Sequence, residues 1–323
     1  MGAEYLEYQA VRILSRSLPR FALYGVSDRL LDAFRLFQPI LRDAVKGNLR
    51  RILASRDEYP SEARLDRLVR LVYRGIGRNF ADFFHFHRLG PSTMRRYFAV
   101  EGQENIDAAL APGRGALLVS AHFGSFELAG AVTAALGYPI SVVALPKKDP
   151  RAERLYLRQR RCWGLDVIPM GRAAGGSLAA LRKGRIVGLN GDYDFSLRDD
   201  RVPFLGAPMR MSFGAARLSV KTGAPVVPSF ATRNRDGTYR VRFFPPIVPR
   251  KESTVEEIHC AWARVFEGMV REYPHLWFVF SDMWNAAWSL QIARQGNMHL
   301  NLDTALNAAE EGRDADSRAG APS

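Results

Sequence analysis

At 323 residues and 47% hydrophobic side chains, the chain can bury one large core or two ordinary ones, which excludes a disordered protein. Its two cysteines, Cys162 and Cys260, have neither metal-ligand nor redox spacing, which argues against a disulfide scaffold and fits a reducing compartment. The net charge of +13, from 40 Arg and 6 Lys against 33 acidic residues, draws the protein toward anionic lipid, nucleic acid or an acidic carrier protein.

Residues 1 to about 100 read as helical, with apolar side chains at three- and four-residue spacing, as in Leu30, Leu31, Phe34, Phe37 and again Leu65, Leu68, Val69, Val72. This region holds 18 Lys/Arg against 10 Asp/Glu, so a basic face lies opposite an apolar one, the pattern of helices that lie in a bilayer interface or, for any single helix, of one packed on the main domain with its charged face in water. The first 20 residues alternate charged and apolar positions and lack the apolar core of a secretory signal. Leu128 to Pro146 has the length of a membrane span, but Gly137-Tyr138-Pro139 breaks it, so it reads as helix, turn and strand.

From Gly115 the pattern changes to short apolar runs alternating with helices. Strands are expected at Ala116–Ala121, Ile140–Leu145, Asp166–Pro169, Arg185–Leu189, Val226–Ala231 and Tyr239–Phe244, the last two joined by a turn at Asn234-Arg235-Asp236-Gly237. Helices are expected at about 126–136, 150–163, 176–183 and 213–222, with Asp149 and Ser212 as N-caps and Gly184 and Gly223 as C-terminal glycines. Ser253 and Thr254 with Glu256 and Glu257 form overlapping capping boxes that start a helix of about 17 residues ending near Tyr273-Pro274. The fold class is therefore α/β: a mixed, largely parallel sheet flanked by helices, preceded by an N-terminal helical region. The expected division is a basic amphipathic helical region over 1–100, an α/β domain over 101–290 and a disordered tail over 303–323, where large apolar residues run out.

The chemistry concentrates at Gly115 to Glu127, where an apolar run ends at His122 and Gly124-Ser125 precede Glu127. On one continuous helix the five positions from His122 to Glu127 would set the two side chains about 140° apart, so they can cooperate only across a turn. Such a pair suits general base catalysis, with Glu127 fixing the imidazole tautomer and His122 taking a proton from a hydroxyl; the alternative is a buried His satisfied by Glu127 with no reaction attached. The helix beginning at Ser125 or Phe126 would point free N–H groups at the same place, where an oxyanion or phosphate could bind.

His122-Phe-Gly-Ser-Phe-Glu127, the lead-in Val100-Glu-Gly-x-Glu104, Gly171-Arg172 followed by Leu181-Arg-Lys-Gly184, and Asp192-Tyr193 together resemble the bacterial late lipid A acyltransferases, a family that includes phosphatidylinositol mannoside acyltransferase. The resemblance runs from about Asn48 to Pro274. It implies transfer of a fatty acyl group from a thioester of acyl carrier protein or coenzyme A to a hydroxyl of a glycolipid or lysolipid, with no cofactor besides that co-substrate. His122 is then the base, Glu127 its partner, and Phe123, Gly124 and Ser125 lie beside the substrate, Ser125 as a helix cap and not a nucleophile. Arg172 matches an arginine placed near the active site and suits a donor or acceptor phosphate; Asp192 is a further site residue by resemblance.

Arg151, Arg154, Arg158 and Arg161 fall on one helical face that could meet an acidic carrier protein or lipid phosphates, or simply water. Asp192, Asp194, Asp199 and Asp200 lack the spacing and ligand types of a metal site, and no nucleic-acid motif occurs. The chain departs from the family at Asn190-Gly-Asp-Tyr-Asp194 and at Phe278-Val-Phe-Ser-Asp282, and without an N-terminal span the expected attachment is peripheral, on the cytoplasmic face of the inner membrane. The rival readings are a hydrolase using the same two residues and a basic membrane-binding module without catalysis.

Overall fold

The computed structural model describes residues 3–194 and 200–285. The tail expected to be disordered, together with Asp199, lies outside the described residues. Four helices come first: α1 (Ala3–Ser17), α2 (Arg20–Leu36), α3 (Pro39–Ala54) and α4 (Glu62–His85). There follow α5 (Pro91–Tyr97), β1 (Phe98–Glu101), α6 (Gln103–Leu110), β2 (Ala116–Ser120), α7 (Phe126–Ala135), β3 (Ile140–Ala144), α8 (Pro150–Cys162) and β4 (Asp166–Pro169). The chain continues through α9 (Ala173–Arg182), β5 (Ile186–Asn190), the hairpin β6 (Arg201–Phe204) and β7 (Ala207–Arg210), α10 (Gly214–Thr222), β8 (Val226–Arg233), β9 (Tyr239–Phe243) and α11 (Val255–Glu272).

Seven strands form one sheet in the order β1-β9-β8-β2-β5-β3-β4. All neighbours are parallel except β8 and β9, which the Asn234–Gly237 turn joins antiparallel. Parallel strands carry helices on both faces and so bury every side chain; β2, Ala-Leu-Leu-Val-Ser, is buried at all five positions. One face packs Ala116, Leu118, Ile140 and Ile186 under α7 and α8. The other packs Leu117, Val119 and Val187 under α10, α11 and the first half of α4.

The long α4 belongs to both layers: Leu65, Val69, Val72 and Tyr73 join the second core, Phe83 and Phe84 the first. The Ser61 hydroxyl starts it by accepting from the Arg64 N–H. The helical spacing read in residues 1–100 is present, but the apolar positions divide. Leu65 and Val69 are buried, whereas Leu30 and Phe37 are 61% and 78% exposed.

Three differences from the sequence expectations have identifiable physical causes. Phe98–Glu101 is a strand, because it pairs with β9, some 140 residues further on. The helix expected at 176–183 starts at Ala173, since Gly175 and Gly176 lie inside it and not before it. Phe213 takes the N-cap position expected of Ser212, whose hydroxyl instead accepts weakly from the Gly214 N–H at 3.4 Å. Elsewhere the punctuation matches: Asp149 caps α8, and Thr254 and Glu257 form a reciprocal capping box on α11.

His259 of α11 is 3% exposed and stacked on Phe213 with ring centroids 3.9 Å apart. Burial, assisted by Arg217, pushes its imidazole down from 6.5 to about 3. The unfolded chain then binds the proton first, so stability is complete above pH 6.5 and drains away as pH falls toward 3. His259→Phe is expected to remove about 2 kcal/mol of the stability difference between pH 7 and pH 5. Parallel urea melts at the two pH values check it; equal acid sensitivity of the two proteins would contradict it.

Candidate active site

β2 carries the chain to the carboxyl edge of the sheet, where His122 emerges with its side chain 20% exposed. A wholly buried carboxylate holds it: Asp192 Oδ1 lies 2.9 Å from Nδ1, and Oδ2 accepts from the His122 backbone N–H at 3.0 Å and from Trp277 Nε1–H at 3.0 Å. With Nδ1 so engaged, Nε2 is the ring nitrogen left for proton transfer. The rings of Phe126 and Tyr193 each stand edge-on to the imidazole, 5.3 Å away.

The geometry corrects the expected role of Glu127. Its carboxylate forms a two-pronged pair with Arg160 of α8, Nη2–Oε1 2.6 Å and Nε–Oε2 3.2 Å. The tautomer of His122 is fixed by Asp192, which resemblance had put beside the substrate. Burial works against the charge of Arg160, but Glu127 outweighs it and holds the guanidinium above its ordinary range. Glu127 and Arg160 both line the same cavity as His122.

The turn between His122 and α7 depends on Gly124. Its φ is +55°, and a Cβ there would lie 2.1 Å from the Ala231 carbonyl oxygen. The Gly124 N–H donates to Leu276 O at 2.8 Å and the Ser125 N–H to Ala231 O at 2.7 Å, so these two donors are spent on the fold. Asn79 of α4 closes the turn: its amide nitrogen donates to Gly124 O, and its oxygen accepts from Ser125 Oγ and from Arg233 Nη2, both at 3.2 Å. Ser125 holds the N-cap position, but its side chain bonds Asn79 and not the helix. Gly124→Ala is expected to destabilise the protein by roughly 1–3 kcal/mol through backbone strain alone, with more from the clash. A thermal melt read beside activity checks this.

A cavity of about 660 Å³ opens beside His122, lined by Ser125, Phe126, Glu127, Arg160, Tyr193 and mostly apolar side chains deeper in. Of the other expected site residues, Phe123 is turned away: wholly buried, it packs on Phe230 and Phe266, since neighbours in an extended segment point to opposite sides. Arg172 is exposed on a short turn, Met170–Arg172, with Met170 and Ala173 on the cavity wall to either side of it in sequence. Arg151 pairs with Asp149 at 2.7 Å and lies over the Tyr5 ring, while Arg154, Arg158 and Arg161 are exposed. Asp194 pairs with Arg210, and Asp200 with Arg217.

Sequence reasoning missed Arg160, Asn79 and Trp277, and it quoted Tyr193 beside Asp192 without giving it a role. Arg160 sits one position off the arginine stripe of α8, where a buried face would place a paired cation; Asn79 and Trp277 have no local signal, since each meets the site across more than forty residues.

A buried Asp–His pair at the carboxyl edge of a mostly parallel α/β sheet, opening on an apolar cavity, has the build of an enzyme's active site. The sequence pattern of the bacterial lipid A biosynthesis acyltransferases matches residues 4–286. The chain belongs to that family and is an acyltransferase. It is 27% identical to the phosphatidylinositol mannoside acyltransferase of Mycobacterium tuberculosis over 290 residues, 86% of this chain and 88% of that protein. It is 26% identical to the protein of the same name from Mycolicibacterium smegmatis over 245 residues, 74% and 79% of the two chains. Among the described residues no helix is long and apolar enough to cross a membrane.

Proposed function

We propose that the protein moves a fatty acyl group from an acyl thioester to a hydroxyl of a membrane glycolipid or lysophospholipid. The observation that carries this is the His122–Asp192 pair opening on the 660 Å³ cavity. In this reading His122 Nε2 takes the proton of the acceptor hydroxyl as its oxygen attacks the thioester carbonyl. Asp192 stabilises the imidazolium that results. The tetrahedral intermediate collapses, the C–S bond breaks and His122 returns the proton to the leaving sulfur, so the base is restored and no covalent acyl-enzyme forms. Among the described residues the N–H groups of Phe126 and Glu127 have no backbone acceptor, and they are candidates for the oxyanion. The family and the glycolipid in the relatives' name support the acceptor class. The exposed Arg154 and Arg158 suit an acidic donor carrier, whether acyl carrier protein or coenzyme A, and the exposed Arg172 an acceptor phosphate.

Attachment to the membrane would be peripheral, on the cytoplasmic face of the inner membrane, through α1 and α2. Leu6, Ile13, Phe21, Leu30, Leu36 and Phe37 are each more than half exposed there, with the exposed Arg16 and Arg29 among them. Apolar side chains and arginines on short helices enter the headgroup boundary together. In vesicle flotation, Phe21→Ser/Phe37→Ser is expected to release most of the protein from anionic vesicles; unchanged binding would refute the assignment.

The deciding experiment incubates purified protein with membrane lipids and labelled palmitoyl-coenzyme A or palmitoyl-carrier protein and identifies the products by mass spectrometry. Acylated glycolipid or phospholipid that disappears with His122→Ala supports the proposal. Free fatty acid alone would make the protein a hydrolase, and identical products from both proteins would remove His122 from the chemistry.

A further inference from the structure

A serine, threonine or aspartate in front of a helix ordinarily takes up an extended backbone and turns its side-chain oxygen back to accept from an N–H of the first turn. Ser61, Asp149 and Thr254 do so ahead of α4, α8 and α11, at ψ of 156°, 118° and 161°. Ser125 holds the same place ahead of α7 and does not. Its ψ is 57°, and its hydroxyl caps no N–H of the helix.

The reason lies in Asn79. Arg233 Nη2, which can only donate, lies 3.2 Å from the Asn79 side-chain oxygen and so fixes which way the amide points. Arg233 is itself held by the buried carboxylate of Asp82, with Nε 3.5 Å from Oδ2. The Asn79 oxygen therefore accepts from Ser125 Oγ, and its NH₂ donates to the Gly124 carbonyl.

These are the acceptors nearest in sequence to the first N–H groups of α7. At φ −93° and ψ 57° Ser125 is close to an inverse γ-turn, in which the Gly124 carbonyl faces the Phe126 N–H. From a capping conformation the Ser125 hydroxyl would face the Glu127 N–H, as Asp149 faces and accepts from the Arg151 N–H. Asn79 engages both acceptors. Among the described residues neither N–H has a backbone acceptor, and Phe126 and Glu127 both line the cavity beside His122.

We infer that Asn79 is a positioning residue: by holding the Gly124 carbonyl and the Ser125 hydroxyl, it keeps the first turn of α7 uncapped, so that the donors there stay open to the substrate. This rests on the proposed role of the Phe126 and Glu127 N–H groups as donors to the oxyanion. A capped α7 would be the more stable helix. It would also meet a developing oxyanion with a donor already engaged.

The test pairs amide exchange with kinetics in Asn79→Ala, Ser125→Ala and the double variant. With Asn79 gone, the Ser125 hydroxyl is expected to cap α7, so hydrogen–deuterium exchange at the Glu127 amide, read by mass spectrometry, should slow about fivefold. In Asn79→Ala/Ser125→Ala it should return to the parent rate. With labelled palmitoyl-coenzyme A and membrane lipids, kcat should fall roughly a hundredfold in Asn79→Ala, the scale of one lost oxyanion donor, with KM little changed. In the Ser125→Ala background the same substitution should lower kcat by less than about tenfold. Asn79→Leu, of nearly the same shape and with no acceptor, replaces Asn79→Ala if the latter melts well below the parent.

Equal exchange at Glu127 in parent and variant, or an equal loss of kcat in both backgrounds, would overturn the inference, since an asparagine that only braces the turn predicts both. Slowed exchange with kcat unchanged would overturn it through the reading it rests on, by showing that the Glu127 N–H takes no part in the reaction. Exchange needs no turnover, so a protein that only hydrolyses thioesters would lose the proposed function in the product assay and still report the state of α7 here.

Discussion

Asp192→Asn is expected to reduce acyl transfer by roughly three to four orders of magnitude while leaving the fold in place, the scale seen when the carboxylate of a catalytic triad becomes an amide. The reason lies in the three donors around the carboxylate. The His122 N–H and Trp277 Nε1–H both point at Oδ2, so an asparagine would keep its oxygen there. Its NH₂ would then face Nδ1, where Oδ1 now lies at 2.9 Å. A donor at that place forces the tautomer that carries its proton on Nε2, and such a ring cannot take another from a hydroxyl. Turnover measured with labelled acyl donor, beside a thermal melt, checks the prediction. Retention of more than about a tenth of the activity would show that the base is oriented some other way.

Arg160→Met should cause a large loss of stability. The guanidinium is 9% exposed at the side chain and Glu127 25%, so removing the cation leaves a mostly buried carboxylate without its partner, a cost of roughly 3 kcal/mol. Glu127→Gln/Arg160→Met should regain most of it, because two neutral side chains of similar volume need no counter-charge. Activity is expected to stay low in both proteins, since the charged wall of the cavity is gone in each. Chemical denaturation of the two variants gives the comparison. A double variant no more stable than the single one would mean that packing, and not the stranded charge, sets the cost.

Much of the sheet was legible because parallel strands advertise themselves: β2 opens on the apolar run Ala-Leu-Leu-Val and β8 on Val-Val-Pro, and an Asn-Arg-Asp-Gly turn separates β8 from β9. The hairpin β6–β7 was not, as Pro203 sits opposite Pro208 and breaks both strand patterns; a two-stranded ribbon tolerates prolines that a central strand would not. At the site, His122 was legible from its place at a strand end, and its partner was not. Spacing favoured Glu127 because a sequence displays only near neighbours, whereas Asp192 arrives from the end of β5, 70 residues on, through the pairing of Ser120 with Asn190. The same limit applies to Asn79, which reaches Gly124 from a helix read as a separate region.

That helix has one more consequence. Three residues beyond Asn79, the buried carboxylate of Asp82 accepts from Tyr24 of α2 and Tyr239 of β9 and lies within 3.7 Å of Arg20 and 3.5 Å of Arg233. The outward-facing apolar helices and the turn behind His122 are thus bolted to the same few atoms. Trimming the chain back to its sheet would strip away the keystone of the catalytic turn along with the exposed greasy surface. A better-behaved protein for solution work would come from repainting Phe21 and Phe37 with polar side chains than from shortening the chain.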